Sequence, residues 1–502
     1  MADNNENISP EKEDPKQASL EFEFATTTTL HAIGHVAESR GIWGKAPWVI
    51  VLLVASGFYA AVTFDRISAY LRYEASTNVM VDFMPKLDFP AVTVCNYNRF
   101  MSSEIQEKDK KHVKQLIQVY ERTYAEFDFG DYLFGNLDDF YSDDSFDFED
   151  FALKTGYSLK KSMHTCKWKG AKCGVKNFKN FYSPHYGLCY TFTSRGNQTL
   201  PGIGNGLQLV LDIEENEYTE TEQGNTEAGI KFAIHPHNEI PAMDTIGLSA
   251  APGFHTFVSI RQTHHKNLHK PWGVCGINED YQEPTNYSRN TCLSDCERDA
   301  IIDKCSCQPL GYFKLDKVSV CNITQLKCTE KALVVHRGRA AEGTCTCPVP
   351  CDYFSYESTI SMARYPSKSV LQSAMDSYGS RENASLYDEE YVAKSLVYLD
   401  VYYNELSTTT YDQVEDLPFT ALLGELGGQL GLFLGASIIT AVEFIDYLVR
   451  LFSLVFLSEN RNLCYRKKHI LFNCIGSYFM LRQISSTNYL HKISYYIKNK
   501  LL

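Results

Sequence analysis

The chain has 502 residues, 44% of them hydrophobic and 22% charged, and a formal net charge of −13. That length exceeds the needs of one ordinary domain and suffices for a large buried core. The acidic balance excludes a nucleic-acid binder, and the uneven placement of charge says more than its sum.

Residues 1–45 open the chain as a polar, acidic tail without the apolar core of a cleavable signal peptide. A sequon in this tail, Asn7-Ile-Ser, is expected to stay unglycosylated. The first long apolar run goes from Ala46 to Phe64, nineteen residues without a charge. As a helix it reaches roughly 30 Å, the thickness of a bilayer core. Residues 46–70 are therefore read as a first transmembrane helix.

Residues 71–416 form one large domain of short β-rich runs, turns and a few helices. Phe89–Cys95, Gly206–Asp212 and Gly229–His235 read as strands, rich in β-branched and apolar residues. Lys108–Tyr124 reads as a helix with Val113, Leu116, Ile117 and Tyr120 on one face, and Ser369–Tyr378 as a second. Between them, Glu126–Asp150 interleaves ten acidic residues with Phe and Tyr. This stretch is either a solvated amphipathic surface or a surface that concentrates cations or basic ligands.

Fourteen of the sixteen cysteines lie between Cys95 and Cys351. Four sequons, at Asn197, Asn286, Asn322 and Asn383, fall in the same domain. Both signals point to an oxidising, glycosylating compartment. The ten cysteines from Cys275 to Cys351 carry Cys-x-Cys and Cys-x3-Cys spacings that also suit zinc. The sequons among them favour disulfides, so no metal is expected; connectivity does not follow from the spacing.

The second apolar run fills residues 417–457 and is broken by Glu425 and a few small or polar residues. Residues 458–502 form a basic tail that contains Arg461, Arg466, Lys467, Lys468 and Arg482. Two spans put both tails on one side, and the Lys/Arg-rich tail marks that side as cytoplasmic. Cysteines, sequons and basic residues thus agree on an extracellular middle and a multi-pass plasma-membrane protein with both termini inside.

Gly427, Gly431 and Gly435 recur every four residues on one face of the second span. Small residues at that spacing let helices approach closely, which alone also suits a dimerising anchor. The carboxylates argue for conduction. Glu425 marks the outer mouth, and Glu443 and Asp446 share one face at the inner end. Acids in a membrane helix are costly and face water or a pathway, and rings of them build cation routes. Between the two ends, Gly435-Ala436-Ser437 allows the helix to unwind and line a cavity with carbonyls.

The stretch Leu422-Leu-Gly-Glu-Leu-Gly-Gly-Gln-Leu-Gly-Leu-Phe-Leu-Gly-Ala-Ser437, followed by Glu443 and Asp446-Tyr447, resembles the second span of degenerin/epithelial sodium channels, most closely acid-sensing ion channels. Phe89–Asn96, Ala250–Phe254 and Lys270–Gly273 are similar to the family's extracellular entry, palm and wrist segments. The resemblance covers roughly residues 30–450. It implies an α+β membrane fold: a trimer of subunits with two transmembrane helices each and a hand-like, disulfide-rich ectodomain. It implies the pairs Cys95–Cys189, Cys166–Cys173, Cys275–Cys351, Cys292–Cys347, Cys296–Cys345, Cys305–Cys328 and Cys307–Cys321.

It further implies Gly435, Ala436 and Ser437 as the selectivity filter, and Gly424, Glu425, Gly428, Gly431, Glu443 and Asp446 as the pore and amiloride region. His31 and Ala32 become the lower pore, in a re-entrant segment before the first span. Tyr73 and Trp272 become the coupling pair at the wrist, and Glu217, Glu222, Glu330 and Asp400 the candidate proton or cation sensors.

The chain departs from the family pattern where Ala32 replaces a glycine, Glu74-Ala75 a wrist histidine, Leu200 a palm lysine and Val334 a thumb acid.

The function these residues imply is an amiloride-sensitive, voltage-insensitive sodium channel opened from outside. Protons are the first stimulus; a neuropeptide or a constitutive leak is the alternative. Clustered carboxylates can supply proton sensing without the wrist histidine. No arginine-rich span suggests a voltage sensor, and no His-Glu-x-x-His or nucleophile–base motif suggests an enzyme. A non-conducting adhesion or receptor subunit is the rival from another class. Expected partners are copies of itself or paralogous subunits, membrane lipid, and protons or a small peptide. No cofactor is expected; sodium is the transported ion and calcium the candidate modulator.

Overall fold

A computed structural model describes residues 20–119, 146–193, 196–220, 224–277, 287–311, 315, 317–340, 345–367, 369–371 and 389–466. Glu222, Asn286, Asn383, most of Glu126–Asp150 and most of Ser369–Tyr378 lie outside these residues. The chain divides into two compact units, Met1–Glu74 with Glu415–Leu502, and Ala75–Val414.

The first unit is helical. Helices α1 (Leu20–Thr27) and α2 (Ile33–Glu38) are short, and α3 (Ile42–Leu71) is 30 residues long. At 1.5 Å per residue α3 measures about 45 Å. It starts four residues before the apolar run, with Gly41 at φ 77° as its N-cap. Its side chains Val51, Leu53, Phe58 and Phe64 are exposed in the single chain, as a lipid-facing or helix-facing surface is.

The second unit is a β structure with helices around it. Its strands are β1 (Ala75–Phe83), β2 (Leu87–Asp88), β3 (Ala91–Asn96), β4 (Met163–Trp168), β5 (Ala171–Lys172), β6 (Phe178–Ser183), β7 (Gly187–Phe192) and β8 (Asn197–Gln198), then β9 (Leu207–Asp212), β10 (Ile230–His235), β11 (Leu248–Ala250), β12 (Phe254–Lys266), β13 (Asp352–Arg364) and β14 (Leu396–Glu415). Among the described residues, one seven-stranded sheet runs β13-β12-β14-β9-β4-β5 with β1 also on β14. A five-stranded sheet runs β11-β10-β3-β7-β6.

The apolar runs explain these positions. Every residue of β3 is buried, so its Ala-Val-Thr-Val-Cys-Asn sequence does not alternate. In β12, Thr256, Val258, Ile260 and Gln262 are buried at every second position. The main core joins Phe89, Leu207, Leu209, Val258, Ile260, Val397, Leu399 and Tyr403. Each such side chain stabilises the fold by about 1.5–3 kcal/mol.

Helix α4 is described over Lys110–Val119, a 3-10 turn at Glu107–Asp109 precedes it, and Tyr120–Tyr124 lie outside the described residues. Val113, Leu116 and Ile117 pack with Phe148 and Phe151 of α5 (Phe148–Thr155) in a second core. Helices α6 (Arg289–Cys305) and α7 (Leu326–Ala340) lie side by side, and α8 (Glu389–Ser395) leads into β14.

Seven disulfides cross-link this unit: Cys95–Cys189, Cys166–Cys173, Cys275–Cys351, Cys292–Cys347, Cys296–Cys345, Cys305–Cys328 and Cys307–Cys321. Cys95 and Cys189 face each other in the β3–β7 register. His269 lies beside the Cys275–Cys351 bond and His336 beside Cys296–Cys345. Sulfurs joined to each other offer no thiolate, so neither group is a zinc site in this form.

Candidate functional site

The helical unit closes with α9 (Phe419–Leu434) and α10 (Ile438–Arg466). Pro418 stands at the N-cap of α9, where its missing N–H costs nothing. Helix α9 packs along α3, with Phe433 stacked 6.4 Å from Phe58. Arg66 reaches Glu425 at 3.6 Å, so the Glu425 carboxylate of α9 has a partner on α3.

The apolar run breaks at Gly435-Ala436-Ser437. Gly435 takes φ +67° and ends α9, its N–H donating to Gly431 at 2.9 Å. The two helices meet at 72°. Ser437 then caps α10: its hydroxyl accepts from Ile439 N at 3.2 Å, while Thr440 Oγ1 accepts from Ser437 N at 3.0 Å. This reciprocal cap satisfies backbone donors that a broken helix would otherwise leave orphaned.

The N-terminal segment packs against this break. His31 N donates to Leu434 O at 3.0 Å, and the His31 ring lies against Gly435. Thr29 N donates to Glu443 Oε2 at 2.9 Å, Thr28 and Thr29 hydroxyls reach the same oxygen, and Thr29 Oγ1 meets Thr440 Oγ1 at 2.6 Å. The Phe24 ring lies tilted 4.6 Å from Tyr447, and Arg450 joins Asp446 at 2.9 Å and Glu23 at 3.5 Å. Ala32, where the resemblance expects glycine, is held in the left-handed region at φ 67°.

Thus Glu443 and Asp446 both have protein partners, and His31 and Gly435 meet. Among the described residues and beyond their own helix, Gly424, Gly427 and Gly428 meet nothing: a Cβ on any of them would find no such atom within 4 Å. The partners Thr28, Thr29, Arg66 and Arg450 were not singled out from the sequence. The four-threonine run before Leu30 and the lone Arg66 within the long helix were the signals available.

The β-rich unit carries the other described candidates on different elements. Glu217 Oε2 accepts from Ser103 N at 2.7 Å. Glu330 lies on α7. Asp400 is fully buried in mid β14, where its Oδ2 accepts from Gln208 Nε2 at 2.8 Å and Gly204 N at 3.2 Å. Burial pushes its carboxyl above the usual range. Asn197 lies in β8, and the Asn322 side chain accepts from Gln325 N at 3.1 Å at the start of a short helical turn. Leu200, where a lysine was expected, is exposed. Tyr73 belongs to the helical unit and Trp272 to the β-rich one.

Comparisons with known proteins give the class. A family model described as Amiloride-sensitive sodium channel matches residues 24–447. Acid-sensing ion channel 1A of Danio rerio is 32% identical over 448 residues, 85% of this chain and 87% of the relative. Acid-sensing ion channel 2 of Homo sapiens is 32% identical over 474 residues, 88% of this chain and 89% of the relative. Among solved structures, a proton-activated chloride channel matches 80% of this chain and 97% of its own at 6% identity and TM-score 0.30, too remote to bear on the fold.

Fold, site and relatives together define a membrane channel with a large β-rich extracellular region, and not an enzyme. The chain belongs to the amiloride-sensitive sodium channel family, and its resemblance to acid-sensing channels extends over most of its length.

Proposed function

We propose that the chain is one subunit of a trimeric, voltage-insensitive sodium channel of the plasma membrane, blocked by amiloride and opened by extracellular protons. The observation that carries this reading is the break at Gly435–Ser437, capped by Ser437 and closed on one side by His31. A break in an apolar segment is tolerated where it lines a water-filled path, and its carbonyls then replace an ion's hydration. Glu425 lies before the break and Glu443 and Asp446 beyond it, the charge signs that favour a cation. The open space over Gly424, Gly427 and Gly428 supports further copies of α9 around one axis, with amiloride near Gly424. Residues 71–416 then face outward and both tails, 1–45 and 458–502, lie in the cytoplasm, as the basic C-terminal segment favours.

The proton stimulus is supported by the names of the relatives and by Asp400, whose carboxyl burial pushes above the usual range. The test is expression in cells without native channels, with current recorded as external pH is stepped down. An acid-evoked, amiloride-blocked sodium current supports the reading. Current at neutral pH that acid leaves unchanged, or current evoked only by a peptide, replaces the proton stimulus and keeps the channel. Absence of current under every stimulus, with the subunit at the surface, removes conduction by the homotrimer.

A further inference from the structure

We propose that His255 and Asp400 form one proton-binding site inside the large sheet, and that its proton-loaded form belongs to the conducting state. The second half of this statement rests on the proton-gated reading above; the first half does not.

The two residues come from neighbouring parallel strands, β12 and β14. His255 Nε2 stands 4.0 Å from Asp400 Oδ2, beyond hydrogen-bond reach. Asp400 is fully buried and the His255 side chain is only 16% exposed. Asp400 Oδ2 has its two donors, Gln208 and Gly204, but among the described residues Oδ1 has no hydrogen-bond partner, and neither has His255 Nε2. His255 Nε2 and Asp400 Oδ1 are thus both left unsatisfied in one buried place, and Nε2 stands about 1 Å beyond hydrogen-bond reach of the other oxygen of the same carboxylate, Oδ2.

The surroundings keep the imidazole in place without charging it. Its ring stacks on Tyr398 at 3.6 Å, nearly parallel, and lies 3.8 Å from Phe257. Tyr398 in turn accepts from Gln208 Nε2 at 3.0 Å, and Tyr365 meets it edge-on at 5.2 Å. Burial pushes His255 down to about 4 and pushes Asp400 up. The other charged and titratable groups on this face are few. Tyr402 follows Asp400 on β14. Lys167 pairs with Gln208 from β4, Lys172 pairs with Lys167 from β5, and both lysines are exposed. Arg364 pairs with Phe254 and so lies on the opposite face. Arg261 and Glu357 stand on this face about 20 Å further along β12.

A proton entering the site makes the imidazole a cation opposite a carboxylate with a free oxygen. The charge-assisted bond that results is far stronger in this buried place than at a surface, and it holds the His255 ring against the Asp400 carboxylate. Any conformation that shortens the 4.0 Å gap binds the proton more tightly. By linkage, acid then populates that conformation.

The test compares the full-length wild type with His255→Gln, Asp400→Asn and the double variant, all checked for surface expression. In acid-step recordings each single variant is expected to need about threefold or more protons for half-activation. The double variant is expected to shift no further than the larger single shift, because one site is lost only once. A wild-type acid current with a superimposable His255→Gln curve overturns the gating role.

If the wild type shows no acid current, the proton-gated reading fails by itself. The site is then judged by thermal unfolding of purified full-length protein between pH 7.5 and 5. His255→Gln is expected to change the acid dependence of the midpoint; an unchanged dependence overturns the site.

Discussion

The imidazole of His31 occupies the place that a side chain on Gly435 would need: a Cβ there would stand 2.5 Å from Cγ and Cδ2 of His31 and 2.7 Å from Nδ1. The glycine is required twice over, because its φ of +67° also disfavours any L side chain. Gly435→Ala is therefore expected to reduce sodium current and sodium preference together, read from current density and reversal potentials in mixed sodium and potassium. Adding His31→Ala makes room but leaves the backbone strained by about 1 kcal/mol. The double variant should recover only in part; full recovery would show that crowding alone mattered.

Ala32 bears the complementary strain. A non-glycine residue in the left-handed region costs roughly 1–2 kcal/mol, and Ala32 sits there at φ 67°. Ala32→Gly is expected to raise the thermal midpoint of the full-length protein in detergent. A lowered midpoint would mean that the alanine methyl makes a contact worth more than the strain.

The two ion pairs Arg99–Glu220 and Arg66–Glu425 differ in value because they differ in burial. Arg99 Nε meets Glu220 Oε1 at 2.7 Å with both side chains at most 2% exposed. Removing one partner strands a buried charge, a loss of about 3–5 kcal/mol. Glu220→Ala is expected to abolish surface delivery of the folded chain, measured by surface labelling. The Arg66–Glu425 pair is longer and over 40% exposed on both sides. Arg66→Gln should cost less than about 1 kcal/mol and leave delivery intact.

His235 makes stability depend on pH. Its ring is buried, Nε2 lies 2.8 Å from Thr93 Oγ1, and burial holds it down at about 4 against an ordinary 6.5. A depressed pKa means that the unfolded chain takes up the proton first. The stability is whole above pH 6.5, declines as pH falls, and is lost by about pH 4, some 3 kcal/mol in all. His235→Asn is expected to flatten the thermal midpoint across that window. An equally steep decline in the variant would assign the pH effect to other groups.

The apolar run Ala46–Phe64 and the helix Ile42–Leu71 overlap because length and lack of charge are local properties that a bilayer reads directly. The strands at Ala91–Asn96, Leu207–Asp212 and Ile230–His235 were legible for the same kind of reason, each starting just after a proline or glycine. The acidic candidates were harder. Asp400 stood out as a carboxylate, yet nothing along the chain distinguished His255 from thirteen other histidines. Its meaning depends on β12 lying beside β14 with Phe257 opposite Asp400.

What the order of residues settles here is what neighbours in the chain settle among themselves: apolar length, strand period, sequons and the small residues at Gly435–Ser437. What only the folded chain decides is which distant groups meet. Thr28 holds Glu443 across 415 residues, His31 covers Gly435, and the cysteine partners follow from which strands and helices lie side by side. Such pairings depend on loop closure and three-dimensional packing, which no local pattern records.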